Sequence, residues 1–503
     1  MNILQSKQKT IFFLSHSPQI RWYAIFAQAM KKILPNVNIV LFVHGRDEYS
    51  YAHKYAVYDS IIDLIDGFSF NPNLQMRDLS VSSDIIKLEN DLNVSFFWED
   101  LKVDRWVRAK QNASFSVQYI NHAYEVFNNN YSRFMPILGF GESTMAIYRL
   151  AHRTFDRDQL PYIGPMSTRY SDRFYFEDDW YWSWNRCLKL YDSFVKKGIP
   201  DDLVDISETL YDRLAVRGGK PVVFENFKNA KQAGYPSIRL SNFFRRLLSV
   251  AVSLNVIKQQ KAFQDNIRYS IIETSFSQKI MRIIRNRLDH YNYSKIVTTE
   301  INDDQSYSIY FLHYQPEYTV DSLGKFYHDQ VNLISNIASS IPANHILYVK
   351  EHPGMVGLRE LRYYKRIQEI SNVVLLHHDA DSLELIKKAK IVFSIVGTVG
   401  LEAIFNNVPA ILFGRYAFSD IGTCTFCDSY WKLSDLVREK LKQKSDVDMS
   451  RTAKALLAAK YKSSYPGKIV ISTETLEDFC SDAKQHALVQ EALEAEFREL
   501  GIL

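Results

Sequence analysis

The chain is poor in cysteine, in long apolar runs and in surplus charge, and each shortage excludes a class of protein. Four cysteines among 503 residues (Cys187, Cys424, Cys427 and Cys480) are too few for a disulfide scaffold and suit a reducing compartment. Near the start only residues 11–14 form an apolar stretch, short of the roughly 7–15 residues of a secretory signal. No run approaches the roughly 18 apolar residues of a spanning helix, so the expectation is a cytoplasmic protein, at most peripheral on the inner membrane. The 61 basic and 57 acidic residues leave a formal charge of +4, which is no global signature of a nucleic-acid partner. What is present is globular: 46% hydrophobic and 23% charged residues, over a length that exceeds one core and argues two domains.

The apolar run at 10–14 reads as a buried strand. Trp22, Ile25, Phe26, Ala29 and Ile33 then fall on one helical stripe, and 37–43 reads as a second strand. Strand, helix and strand in so short a span predict a βαβ unit and a parallel sheet. A further strand ends at Gly141, and the spacing predicts a helix opening at Glu142. After residue 300 the rhythm is cleaner. Strands are predicted at 308–313, 346–350, 373–376, 391–394 and 410–413, with helices at 326–340, 360–370, 382–388 and 399–405 between them. The expected class is α/β of the GT-B type, two Rossmann-like domains facing a cleft, with a helical basic insertion. The expected domains are a Rossmann-like unit at 1–200, a helical linker at 201–300, a second Rossmann-like unit at 301–480 and a C-terminal helix at 481–503.

The insertion is where charge concentrates. Residues 239–295 hold eleven Lys or Arg against three acids, a balance of 11 − 3 = +8 that leaves the rest of the chain at −4. Two readings stand: a solvated helical linker, or a contact to an anionic surface such as the inner membrane leaflet or an anionic glycan.

In an open parallel sheet, ligands bind at the carboxyl ends of the strands. All five loops at that edge of the second domain are polar. The most informative is Ser394-Ile-Val-Gly397-Thr398-Val-Gly400-Leu-Glu402-Ala403. A strand end, a glycine turn and a helix start near Thr398 would supply amides and hydroxyls to a nucleotide phosphate, with Glu402 placed for ribose hydroxyls. The other reading is a packing turn whose Glu402 complements the helix dipole. Lys350 and His352, before Pro353, would offset charge on a departing phosphate.

Lys350-Glu-His-Pro353, Gly397-Thr-Val-Gly-Leu-Glu-Ala403, Pro409-Ala-Ile-Leu-Phe-Gly414 and His313-Tyr-Gln-Pro-Glu317 together resemble the capsular polysaccharide biosynthesis glycosyltransferases, a family that includes Kdo transferases. The resemblance spans about residues 305–420 and touches the amino-terminal half only through its βαβ start. It implies that Lys350, His352, Ser394, Thr398 and Glu402 hold the donor nucleotide, with Gln315 on the adjoining loop. It further implies transfer of a sugar, such as Kdo or a related nonulosonate from a CMP-sugar, to a growing capsular or lipopolysaccharide glycan. No metal and no cofactor beyond the nucleotide-sugar donor are then expected. The partners are that donor, a glycan or glycolipid acceptor and the inner-membrane surface, with no nucleic acid. Three rival readings remain: a UDP-sugar 2-epimerase, a CDP-glycerol glycerophosphotransferase, and a non-catalytic glycan-assembly partner.

Candidates for the reacting centre lie in the first domain. Glu142, at a strand end after Gly139 and Gly141, is the leading general base for the acceptor hydroxyl, and His16, after the first strand, is the second. Either is also explained structurally, the acid by a helix dipole and the histidine by packing. Arg21 is a candidate partner for a substrate carboxylate. Trp180, inside the aromatic and acidic stretch 174–184, is a candidate sugar-stacking residue, although such a stripe also reads as core. Cys424-x-x-Cys427 lacks the second pair of a zinc site, His377-His378 reads as a loop or nucleotide-edge contact, and Asp178-Asp179 and Asp303-Asp304 are adjacent rather than spaced as Asp-x-Asp.

Overall fold

The computed structural model describes residues 8–16, 19–74, 76–104, 113–169, 172–179, 183–219, 291–302, 304–315, 317, 319–356, 358–417, 419–442, 449–469 and 476–503. They divide into two compact units. One is formed by the chain up to Trp184 together with Ser463–Leu503, the other by the described residues between them.

The first unit carries β1 (Thr10–Leu14), β2 (Asn38–Val43), β3 (Ser60–Asp63), β4 (Leu138–Gly141), β5 (Tyr162–Ser167), β6 (Arg173–Glu177) and a late two-residue strand, β13 (Tyr465–Pro466). Their order is β13-β6-β5-β4-β1-β2-β3. The pairs from β3 to β5 are parallel; β5 with β6 and β6 with β13 are antiparallel. β1 and β2 are apolar almost throughout because both faces of a parallel sheet are covered. Alternate side chains serve opposite cores. Ile11, Phe13, Ile39 and Leu41 pack with Trp22, Phe26 and Met30 of the Gln19–Ile33 helix. Phe12, Leu14, Val40 and Phe42 pack with Phe127 of the Ala113–Phe134 helix and Leu150 of the Ala146–Arg157 helix. Phe12 alone has the rings of Phe42, Phe127 and Phe155 at 4.8, 6.0 and 6.3 Å. Each such buried ring contributes about 1.5–3 kcal/mol, and this is where much of the aromatic content resides.

The second unit carries β7 (Tyr307–Phe311), β8 (Ile346–Lys350), β9 (Val373–Leu376), β10 (Val392–Ser394), β11 (Ala410–Leu412) and β12 (Cys424–Phe426), in the order β12-β11-β10-β7-β8-β9 and parallel throughout. Both Rossmann-like units expected of the GT-B class are thus present. The sixth strand was not expected: three residues, Cys-Thr-Phe, are too short a run to signal one. The two cysteines there are packing thiols, with Cys424 Sγ donating to Gly400 O at 3.3 Å and Cys427 Sγ to Ser429 O at 3.2 Å.

The expected boundaries at 200, 300 and 480 differ from this division. The helices Asn185–Lys197 and Asp201–Ala215 both pack on Met449–Lys462, so they belong to the second unit, which begins at Asn185 rather than 201 or 301. The C-terminal segment returns to the first unit. There Phe479 meets Trp22 and Phe26 at 6.0 and 6.4 Å, and Val489, Leu493 and Phe497 complete a core. The helix expected at Glu142 starts at Ala146, because the buried Asp104 carboxylate accepts the Ala146 N–H at 2.6 Å and fixes the first turn there. Residues 220–290, most of the basic segment, and Trp180 lie outside the described residues.

Candidate active site

Both sheets are wound in the same way. In the first, the chain runs β1, β2, β3 to one side, and β4 then joins the free edge of β1. In the second it runs β7, β8, β9, and β10 then joins the free edge of β7. At such a reversal the loops leaving the two central strands diverge, which opens a crevice at the strand ends. His16 and Glu142 follow β1 and β4. His313 and Ile395 follow β7 and β10.

In the first unit, the turn from Glu142 to Met145 is held from beneath. Ser143 Oγ lies 2.8 Å from His152 Nδ1. Arg149 donates through Nε to Ser143 O at 3.2 Å and through Nη1 to Asp100 at 2.7 Å, and Asp104 holds Ala146. Asp100, Asp104, Arg149 and His152 are all buried, so the half-buried Glu142 projects from a fixed turn. Around it stand phenols. Burial, and then the charge of Glu142, push the Tyr23 and Tyr162 hydroxyls far above their usual range. His16 stacks on Tyr148 with ring centres 6.4 Å apart. His44, after β2, lies 5.3 Å from Tyr148, with Nδ1 2.9 Å from Tyr119 Oη; burial and then His16 push it down to about 3. Gly139 allows Tyr162 this place, since a Cβ there would stand 2.2 Å from the ring. Arg21 sits on its helix within electrostatic reach of Tyr55.

In the second unit, His313 ties the two sides of the reversal together. Its Nε2 accepts the Ile395 N–H at 3.0 Å and lies 3.2 Å from Ser394 Oγ. An accepting Nε2 carries no proton, and burial, then His352 and Arg359, push this imidazole down to about 3. A histidine whose folded pKa lies below its unfolded value of about 6.5 contributes stability that is lost as pH falls through that range, about 1.4 kcal/mol per pH unit. His44 and His152, also driven to about 3, act with the same sign. The carboxyls of Asp156, raised to about 6, and of buried Glu177, pushed well above its ordinary range by burial, act with the opposite sign. Imidazole NMR shifts of His44, His152 and His313 are therefore expected to stay constant from pH 8 to 5; titration of any of them above pH 6 contradicts its burial as a neutral ring.

The remaining donor-side candidates separate into two groups. Lys350 ends β8 beside β7, His352 is exposed, and Thr398 and Glu402 bracket the start of the Val399–Phe405 helix. Thr398 Oγ1 donates to Glu402 Oε1 at 3.3 Å. Gly397 has φ +104°, a left-handed conformation that glycine adopts without strain. His352 Nδ1 accepts the Gly354 N–H at 3.1 Å, which turns Nε2 outward from its own turn. Ser394 and Gln315 are engaged in the hydrogen bonds of their own loops. The Ser394 hydroxyl donates to Val396 O at 2.9 Å. Gln315 Nε2 donates to Asp321 Oδ1 and His328 O, while its Oε1 accepts from Gln330 Nε2. Both thus also brace the loops on which they stand. His313 does the same; its sequence signals are its place in His313-Tyr-Gln-Pro-Glu317 and its position two residues past β7.

The loop after β8 is braced by a buried ion pair. Glu351 Oε2 lies 2.9 Å from Arg359 Nε and accepts Tyr364 Oη at 2.8 Å, while Oε1 accepts the His352 N–H at 2.5 Å. Arg359 also bonds His313 O, so one guanidinium secures the loops after both β7 and β8.

Residues 246–443 match the family described as capsule polysaccharide biosynthesis protein, about two-fifths of the chain. This bears out the resemblance drawn on the His-Pro and Gly-Thr-x-Gly motifs. No curated protein matches the chain. Among solved structures, it is similar to the beta Kdo 2,4 transferase of Thermosulfurimonas dismutans KpsC, with 12% identity and a TM-score of 0.34 over 68% of this chain and 86% of that one. It is also similar to the UDP-GlcNAc 2-epimerase of Methanocaldococcus jannaschii, with 10% identity and a TM-score of 0.25 over 89% and 98%. At TM-scores this low neither likeness assigns an activity. Among the described residues no helix is long and apolar enough to cross a membrane.

Proposed function

We propose that this chain, whose residues 246–443 carry the capsule polysaccharide biosynthesis region, is a glycosyltransferase that moves a sugar from a nucleotide donor to a surface glycan or glycolipid. The donor is a CMP-linked acidic sugar such as Kdo or a related nonulosonate. The observation that carries the reading is the reversal point of the second sheet: His313, past the central β7, pins the β10 turn, with Lys350 and His352 at the end of β8 on one side and Thr398 and Glu402 after β10 on the other. The lysine, the imidazole, the turn amides and the Ser394 and Thr398 hydroxyls take the leaving phosphate, Glu402 takes ribose hydroxyls, and Gln315 contacts the donor nucleotide from the adjoining loop. In the first unit Glu142 removes the acceptor proton as its oxygen attacks the anomeric carbon, with His16 beside it; Arg21 and Trp180 remain candidate acceptor contacts. Residues 239–295 supply the contact to the anionic membrane surface.

Thermal-shift titration with CMP, CDP, UDP and GDP tests this. A nucleotide at 100 times its Kd adds about 2.7 kcal/mol of stability to the unit that binds it. CMP alone is expected to raise Tm, and His352→Ala and Glu402→Ala are expected to weaken that shift. A shift with UDP alone moves the reading to a UDP-sugar enzyme such as a 2-epimerase, and one with CDP alone to glycerophosphate transfer. No shift with any nucleotide leaves a non-catalytic partner.

A further inference from the structure

The edge of the first sheet where the loops after β1 and β4 diverge carries hydroxyl groups that the protein does not engage. The oxygens of Tyr23, Tyr148 and Tyr162, of Ser15 after β1 and of Thr144 in the turn after β4 are buried and have no hydrogen-bond partner among the described residues. Their residues are 0–8% exposed. A buried polar group is almost always paired, so several orphans at one strand edge call for a partner that the chain does not supply. Packing does not explain them. The Tyr23 ring meets Phe13 and Phe140 with centres 6.3 and 5.2 Å apart, contacts that a phenylalanine would make without a stranded hydroxyl.

The three phenols gather at one place. Tyr162 reaches in from β5: a Cβ on Gly141 would stand 3.0 Å from its Oη and 2.5 Å from Leu14 O, so the hydroxyl lies where β1 and β4 end. Tyr23, on the Gln19–Ile33 helix, and Tyr148, on the Ala146–Arg157 helix, are within electrostatic reach of Tyr162 and of each other. The charge of Glu142 acts on Tyr23 and Tyr162, and that of Glu48 on Tyr148. Beside Tyr148 stand the rings of His16 and His44, the second held neutral by burial.

We propose that Tyr23, Tyr148 and Tyr162 form, beside Glu142, the subsite for the terminal residue of the acceptor, and that this residue is a neutral sugar. The inference rests on Glu142 being the base of the transfer. A phenol donates one hydrogen bond and accepts others, as a sugar hydroxyl does, so three of them suit neighbouring hydroxyls of one sugar ring. An acidic sugar fits this place badly. Its carboxylate would approach Glu142 and Glu48, and like charges brought together away from water repel strongly. The subsite lies wholly within the first unit.

Saturation-transfer difference NMR on the full chain tests the subsite, with methyl glucoside, methyl galactoside and N-acetylglucosamine as neutral probes and glucuronate and galacturonate as acidic ones. The neutral sugars are expected to bind, and the acids at least tenfold more weakly. Tyr23→Phe, Tyr148→Phe and Tyr162→Phe are each expected to weaken the neutral sugar about three- to tenfold, one hydroxyl bond apiece, with Tm kept or raised because no bond within the protein is lost. Should one variant fail to fold, the other two carry the test. A preference for the acids overturns the proposal and returns the subsite to Arg21. No binding of any neutral sugar, or unchanged affinity in the folded variants, overturns it and leaves the hydroxyls to ordered water. Weaker binding accompanied by a lower Tm in every variant overturns it too, since the hydroxyls are then structural. No nucleotide is present, so the subsite can fail while nucleotides still raise Tm, and can hold while they do not.

Discussion

Replacing Glu142 by glutamine is expected to lower the rate of sugar transfer by about 10²–10⁴-fold and to leave donor affinity unchanged. The amide keeps the size of the side chain and removes only its ability to take a proton. The turn that presents it is held by Ser143, Arg149, Asp104 and His152, none of which changes, so the variant should unfold with the wild type. Single-turnover transfer and nucleotide binding, measured side by side, separate the two quantities. A loss within threefold removes Glu142 from the chemistry. If His16→Gln then gives the large loss, the base is the imidazole that stacks on Tyr148.

The second large effect is on stability. Arg359→Ala is expected to destabilise the second unit by about 3–5 kcal/mol, because it strands a fully buried Glu351 without its counter-charge. Arg359 also holds His313 O and lies 4.7 Å from the Tyr363 ring centre, so the loops after β7 and β8 lose a common brace. Urea denaturation of the purified variant measures the loss. The double variant Glu351→Gln, Arg359→Met should recover part of it, since removing both charges leaves neither unpaired. If Arg359→Ala costs under 1 kcal/mol, water reaches the pair and the brace is not rigid.

What the sequence disclosed was what depends on neighbours along the chain. β8 and β9 and the helices at 382–388 and 399–405 stand where apolar runs and periodicity put them, because a strand covered on both faces must be apolar throughout. The His-Pro and Gly-Thr-x-Gly turns were legible for the same reason. What escaped depends on distant partners. The helix after β4 starts at Ala146 because of a carboxylate 42 residues upstream. That Gln315 is tied to a glutamine at 330 and to a carbonyl at 328 is likewise set by residues beyond its own turn. The unit boundary at Trp184 is decided by the packing of 185–215 on a helix that comes more than 230 residues later.

That the last forty or so residues belong to the first unit bears on how the chain is made. Lys9 Nζ bonds Ile502 O at 3.0 Å, and Val489, Leu493 and Phe497 fill a core begun by β1. During synthesis the second unit has its whole sequence out of the ribosome while the first still lacks one wall. The half of the protein that is translated first is therefore completed last, and a stop codon shortly after residue 462 would spare the later-encoded unit and leave the earlier one open.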